Sequence, residues 1–120
     1  MRVLFLDDDV GRHHQIDTWS ANTDAEIHHV YDAHGAIAAV RAGGWDLVSL
    51  DHDLGGQQMV ESGDGTGFEV AVAMSRLPRN LHPARVVCHS WNPVGAERMR
   101  AVLADSGFNV VVARHGYWRL

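Results

Sequence analysis

Three apolar runs in this chain each end in a cluster of acids, histidines or amides: Val3-Leu4-Phe5-Leu6 into Asp7-Asp8-Asp9, Leu47-Val48-Ser49-Leu50 into Asp51-His52-Asp53, and Val86-Val87-Cys88 into His89-Ser90-Trp91-Asn92. The runs are too short for helices and continuous rather than alternating, the pattern of strands covered on both faces in a parallel sheet. Parallel strands would bring all three clusters to one edge of one sheet. That edge, at the carboxyl ends, is where open α/β sheets bind ligands.

Helical spacing fills the intervals. Asn92 as N-cap, Pro93 at the first helical position, and Met99, Val102 and Leu103 on one face describe a helix that Gly107 stops. Ala33 to Ala42, with Ile37 and Val40 on one face, makes another. Phe68 to Leu77 makes a third, ended by Pro78, because the residue before a proline resists the helical region. A helix around Gly11 to Asn22 has only Ile16 and Trp19 as anchors. The remaining strands fall near Glu26 to Tyr31 and Asn109 to Ala113. This alternation specifies an α/β fold, a single doubly wound parallel five-stranded sheet, with right-handed crossovers. A fifth helix is missing, so Tyr117 and Trp118 either fold back over the last strand or meet a partner, as in a homodimer.

The 120 residues, 46% of them hydrophobic, suit one domain spanning residues 1–120. No apolar stretch is long enough to cross a bilayer and no signal-peptide pattern opens the chain, so a cytoplasmic location and no membrane partner are expected. Cys88, in a central strand, reads as a buried inert thiol. A net charge of −5 with 10 dispersed basic residues excludes a grip on long nucleic acid. A small anion, or the end of a nucleic acid, is compatible if a cation supplies positive charge.

Asp7, Asp8, Asp51 and Asp53 at adjacent strand ends repel one another unless a cation sits among them, and oxygen ligands favour Mg²⁺ or Mn²⁺. Singly, each Asp is equally a helix cap or turn former. His89, after an apolar strand and before a helix, reads as a group at the site rim that meets an anion, the alternative being a hydrogen-bonded structural residue. His52, between two acids, is open between metal ligand and structural residue, whereas His13-His14 and His28-His29 read as solvated faces. Asn92 caps its helix or donates its amide to a phosphate. Gly63 to Gly67 is a phosphate cradle or a loop ending in a Thr66 N-cap. Trp19 and Trp45 read as core, and Trp91 as a ring that stacks on a base.

With Asp7 and Asp8 after the first strand and Asp51 after the third, the chain resembles a response-regulator receiver domain, which implies a flavodoxin-like sheet of order 2-1-3-4-5. Signalling receivers carry Ser or Thr after strand four and Lys after strand five. The corresponding stretches here read His89-Ser90-Trp91-Asn92 and Ala113-Arg114-His115-Gly116. Those departures are similar to a smaller family, the receiver-derived domains inferred to process cyclic phosphates. Its signatures read here Leu6-Asp7-Asp8-Asp9 with Arg12, Leu50-Asp51-His52-Asp53-Leu54-Gly55, Thr66-Gly67-Phe68-Glu69-Val70, and His89-Ser90-Trp91-Asn92-Pro93-Val94-Gly95-Ala96-Glu97-Arg98-Met99.

The resemblance implies a metal-dependent phosphoesterase acting on a cyclic phosphate, either a cyclic nucleotide or a 2′,3′-cyclic RNA end. Asp7, Asp8 and Asp51 would hold Mg²⁺ or Mn²⁺, completed or oriented by Asp53 or His52. His89 would protonate the leaving oxygen, and Asn92, Ser90, Thr66, Arg12 and Arg98 would bind the phosphate. Asp51 is alternatively a nucleophile. Two rival classes are a non-catalytic module that binds or sequesters a cyclic nucleotide and a degenerate phosphorelay receiver.

Overall fold

The computed structural model describes residues 1–113. Strands β1 (Arg2–Leu6), β2 (Glu26–Val30), β3 (Leu47–Leu50), β4 (Arg85–His89) and β5 (Val110–Ala113) alternate with helices α1 (Val10–Ser20), α2 (Ala33–Ala42), α3 (Gly67–Ser75) and α4 (Pro93–Asp105). The expected helix boundaries hold to within two residues, the ordinary uncertainty of frayed ends. A short 3₁₀ turn at Arg79–Leu81, absent from the sequence reading, follows Pro78. All five strands are parallel in the order β2-β1-β3-β4-β5. Among the described residues no helix follows β5, and Val111 and Val112 remain exposed. Arg114 to Gly116, Tyr117 and Trp118 lie outside the described residues.

Both faces of the central strands are apolar because both are covered. Leu4, Leu6, Val48, Leu50, Val86 and Cys88 pack against α2, α3 and α4. The alternate residues Val3, Phe5, Leu47 and Val87 face the other way, where Phe5 meets Ile16 and Trp19 of α1. Trp45 lies in the core as expected. Cys88 is buried, and burial pushes its thiol up to about 12, so it is inert at neutral pH.

Each main helix begins on a side chain that accepts a backbone N–H: Asp9 from Gly11, Asp32 from Gly35, Thr66 from Phe68 and Asn92 from Gly95. The weak apolar stripe of α1 has a structural reason. His13, expected on a solvated face, is instead buried, wedged between the rings of Phe5 and Tyr31, and its Nε2 donates to the Asp7 carbonyl at 2.8 Å. An imidazole with a backbone partner replaces the missing aliphatic anchor.

Candidate functional site

The register assembles the site. Leu6 pairs with Leu50 and Leu50 with Cys88, so Asp7, Asp51 and His89 come next on three adjacent strands. One oxygen from each of Asp7, Asp8 and Asp51 lies within 4.8 Å of the others. Asp8 and Asp51 line a cleft of about 430 Å³, walled also by Arg12, Gln15, Asp53, Ser90 and Trp91, while Asp7 is fully buried beside them.

Asp7 is the hub. Its Oδ1 accepts the Asp9 N–H at 2.8 Å, and its Oδ2 accepts Arg12 Nε at 2.7 Å and His89 Nε2 at 3.0 Å. Burial works to raise its pKa, but the bonds from His89 and Arg12 outweigh burial and hold it below the usual carboxylate range. Asp51 has the opposite balance. Its Oδ1 accepts the His52 N–H, but its buried Oδ2 has no hydrogen-bond partner among the described residues. Burial first, then the charge of Asp7, push the Asp51 carboxyl up to about 8, and Arg12 at 3.6 Å offsets only part of this. A buried polar atom without a partner is costly, and beside two other carboxylates it calls for a cation. The all-oxygen donor set fits a hard divalent ion.

Several expected site residues stand elsewhere. His89 is not at the rim: it is 1% exposed, beneath Asp7, with Nδ1 accepting from Ser49 Oγ at 2.6 Å. Burial lowers its pKa despite Asp7, so it is a neutral imidazole that orients Asp7 rather than a group in contact with ligand. Asn92 is a buried cap whose amide donates to Asp53 Oδ1 and to the Val60 carbonyl, each at 3.0 Å, and does not face the cleft. Thr66 is a buried N-cap bonded to Gly63 and Phe68. Arg98 lies outside the acid cleft, on a neighbouring hollow.

Asp53 lines the cleft but stays apart from the three convergent acids, because its oxygens accept from His52 Nδ1 at 2.7 Å and from the Met59 N–H at 2.6 Å. Burial works to raise its pKa, and the bonds from His52, Asn92 and Met59 outweigh it, leaving Asp53 ionised. Ser90 lines the cleft and accepts the Asn92 N–H at 3.1 Å. Arg12 is where the acids need it, 2.7 Å from Asp7 and within 4.0 Å of Asp8, Asp9 and Asp51.

Glycines to which the sequence assigned no such role also shape the site. The Gly56 N–H donates to Asp8 Oδ2 at 2.6 Å, tying the loop after β3 to the first acid cluster. Side chains at Gly67 and Gly95 would collide with the Asp51 carbonyl and the His52 ring. No local signal marks such close approaches. Gly95→Ala gives up to about 1 kcal/mol of helix propensity, whereas forcing a methyl against a buried ring costs about 1–3 kcal/mol. The variant is therefore expected to melt a few degrees lower than the parent, read by thermal denaturation, and a higher melting temperature would show that His52 moves freely.

Solved receiver domains share this fold. A CheY-like receiver from Methylobacillus flagellatus superimposes with a TM-score of 0.68 at 15% identity, covering 100% of this chain and 88% of the other. The receiver domain of HemR from Leptospira biflexa gives 0.68 at 19% identity, covering 98% and 83%. The receiver domain of a sensor histidine kinase from Pseudomonas aeruginosa PAO1, solved with a magnesium ion coordinated in its active-site cleft, gives 0.67 at 14% identity, covering 98% and 86%. No curated protein matches the chain. The profile of one family, the cyclic-phosphate processing Receiver domain, matches residues 2–105, which include all three acids, Arg12 and the stretch from His89 to Met99. With a receiver sheet, an acid trio at its carboxyl edge and a profile match over most of its length, the chain belongs to the cyclic-phosphate processing Receiver domain family.

Proposed function

We propose that this chain hydrolyses a cyclic phosphate, a cyclic nucleotide or a 2′,3′-cyclic RNA end, in the acid cleft. The observation that carries the reading is the buried Asp51 Oδ2, which has no hydrogen-bond partner among the described residues, in a trio of convergent carboxylates beside a cleft sized for a small ligand. Asp7, Asp8 and Asp51 would hold Mg²⁺ or Mn²⁺, in keeping with the magnesium-bound receiver of similar fold. Such an ion supplies charge neutralisation for the phosphate and a more acidic water.

The chain's own residues do the rest. Arg12, on the cleft wall, offsets the charge of the phosphate and of the acids. Ser90 Oγ, which accepts from Asn92, has its own proton to donate to a non-bridging phosphate oxygen. His89 holds Asp7 in one orientation. Trp91, 61% exposed at the cleft, supplies an aromatic wall suited to a nucleobase. One water adds to phosphorus, one ester P–O bond breaks, and the products are a linear monoester and a free hydroxyl.

A phosphorelay role is disfavoured by composition: all 10 basic residues are arginine, so no lysine anywhere in the chain can clamp an aspartyl phosphate with an ammonium. The test is incubation with cyclic mononucleotides, cyclic dinucleotides and 2′,3′-cyclic RNA ends in Mg²⁺ or Mn²⁺, read by mass spectrometry for the gain of one water. At least one class is expected to open, with turnover falling at least about 100-fold in Asp51→Asn or EDTA. Ligand recovered unchanged in stoichiometric complex would instead make the protein a sequestering module. A persistent phosphoryl adduct on Asp51 after acetyl phosphate, with no cyclic phosphate opened, would restore the phosphorelay reading.

A further inference from the structure

The network behind Asp53 has the connectivity of a nucleophile, a base and an orienting acid. His52 follows β3 and is fully buried. Its Nδ1 lies 2.7 Å from Asp53 Oδ1 and its Nε2 lies 2.9 Å from Ser62 Oγ. Because Asp53 is an acceptor, the imidazole proton belongs on Nδ1, and Nε2 is left to accept the Ser62 hydroxyl proton. Asp53 is itself fixed by the Asn92 amide at 3.0 Å and the Met59 N–H at 2.6 Å. These are the distances at which a base activates a serine and an acid holds the base.

Ser62 does not face the acid cleft. It lines a separate hollow of about 620 Å³, within the range of small-molecule sites, whose walls include Val60, Pro93 and Val94, with Arg98 and Glu61 also on its lining. The first turn of α4 borders the same hollow. Pro93 has no N–H, the Gly95 N–H is bonded to Asn92 Oδ1, and the Ala96 N–H to the Asn92 carbonyl. Among the described residues, the Val94 N–H is thus the remaining donor of that turn, able to receive a negative oxygen.

We propose that Ser62 is the nucleophile of a second, metal-independent reactive centre, with His52 as base and Asp53 as its orienting acid, acting on carboxylic esters with a small apolar acyl group. Ser62 Oγ bonds to the carbonyl carbon as its proton passes to His52 Nε2. The ester C–O bond then breaks, and the leaving alcohol takes that proton. Water attacks the acyl-serine, giving its proton through His52 back to Ser62 Oγ and releasing the carboxylic acid. The acyl group lies against Val60, Pro93 and Val94.

The experiment uses the full chain in EDTA, which silences the acid cleft, so this centre and the cyclic-phosphate reading fail independently. A fluorophosphonate probe is expected to add to one residue, located at Ser62 by peptide mass spectrometry, with no adduct in Ser62→Ala and none on the denatured parent. p-Nitrophenyl butyrate should be cleaved with an initial burst that Ser62→Ala lacks, while cyclic-phosphate opening in Mg²⁺ stays at the parent rate in that variant. His52→Gln should lose the label too. Because a buried substitution can disturb folding, Ser62→Cys gives a second readout: its thiol should react with iodoacetamide at least about tenfold faster in the folded than in the denatured protein, since His52 favours the thiolate. Absence of label and burst in folded parent protein, or a label that persists in Ser62→Ala, would overturn the proposal. So would Ser62→Cys reacting no faster folded than unfolded.

Discussion

In metal-free buffer near pH 8, the Asp51→Asn protein is expected to melt higher than the parent, by roughly 5 °C or more. Removing a side chain from a site usually costs stability, but Asp51 is ionised there only against its surroundings. Its carboxyl titrates at about 8 when folded, against an ordinary value of 3.8, because of burial and then the neighbouring charge of Asp7. Between those values the folded chain keeps a proton that the unfolded chain has released. The group's stabilising contribution is complete below the ordinary value and is lost as pH rises through about 8. A tenfold change in proton affinity is worth about 1.4 kcal/mol, so the loss amounts to a few kcal/mol. Asparagine does not ionise, and its melting curve should be nearly flat over the same window. Saturating Mg²⁺ should reverse the ranking, adding about 2.7 kcal/mol to the parent at a hundred times its Kd and little to the variant. Thermal melts at several pH values, in EDTA and then in Mg²⁺, decide the matter. A variant less stable than the parent throughout in EDTA would make Asp51 a structural acceptor.

Asp7→Ala should have the opposite sign, although Asp7 and Asp51 sit side by side on the same sheet edge. Asp7 accepts from Arg12, His89 and the Asp9 N–H, so its removal takes one acceptor from each of a guanidinium, a buried imidazole and a backbone donor. Breaking a buried charged pair by deleting one partner costs about 3–5 kcal/mol, and because Arg12 stays partly exposed the lower end applies, about 3 kcal/mol. The variant should melt well below the parent in EDTA at neutral pH. The Asp7 contribution is itself lost only as pH falls below the ordinary carboxylate value, because its folded pKa is depressed. Denaturant titrations at neutral pH of parent, Asp7→Ala and Asp51→Asn should therefore bracket the parent, one below and one above. If both variants move in the same direction, the division of the acids into a satisfied hub and a cation-dependent partner is wrong.

The architecture was legible because it rests on local signals. Continuous apolar runs, the capping residues Thr66 and Asn92, and Pro93 and Gly107 around α4 act within a few residues of themselves. Parallel strand ends follow from that alternation, and with them the meeting of Asp7, Asp8 and Asp51. His89 and Asn92 were placed on the right strand end and helix start, but their orientation was not determined there. A histidine after a strand serves a rim or a floor equally well, and only the Ser49 and Asp7 side chains on neighbouring strands turn it inward.

Sequence alone thus determined the fold class, the order of elements and the edge at which the acids collect, since period, caps and breakers are properties of short segments. The tertiary structure alone decided which carboxylate is satisfied and which needs a cation, because that depends on charges brought together from β1, β3 and α1. It decided as well that Arg98 leaves the acid cleft, that His13 is buried, and that Ser62 reaches His52 across ten residues of loop. Contacts of this kind have no periodicity, and they exist only once segments distant in sequence pack together.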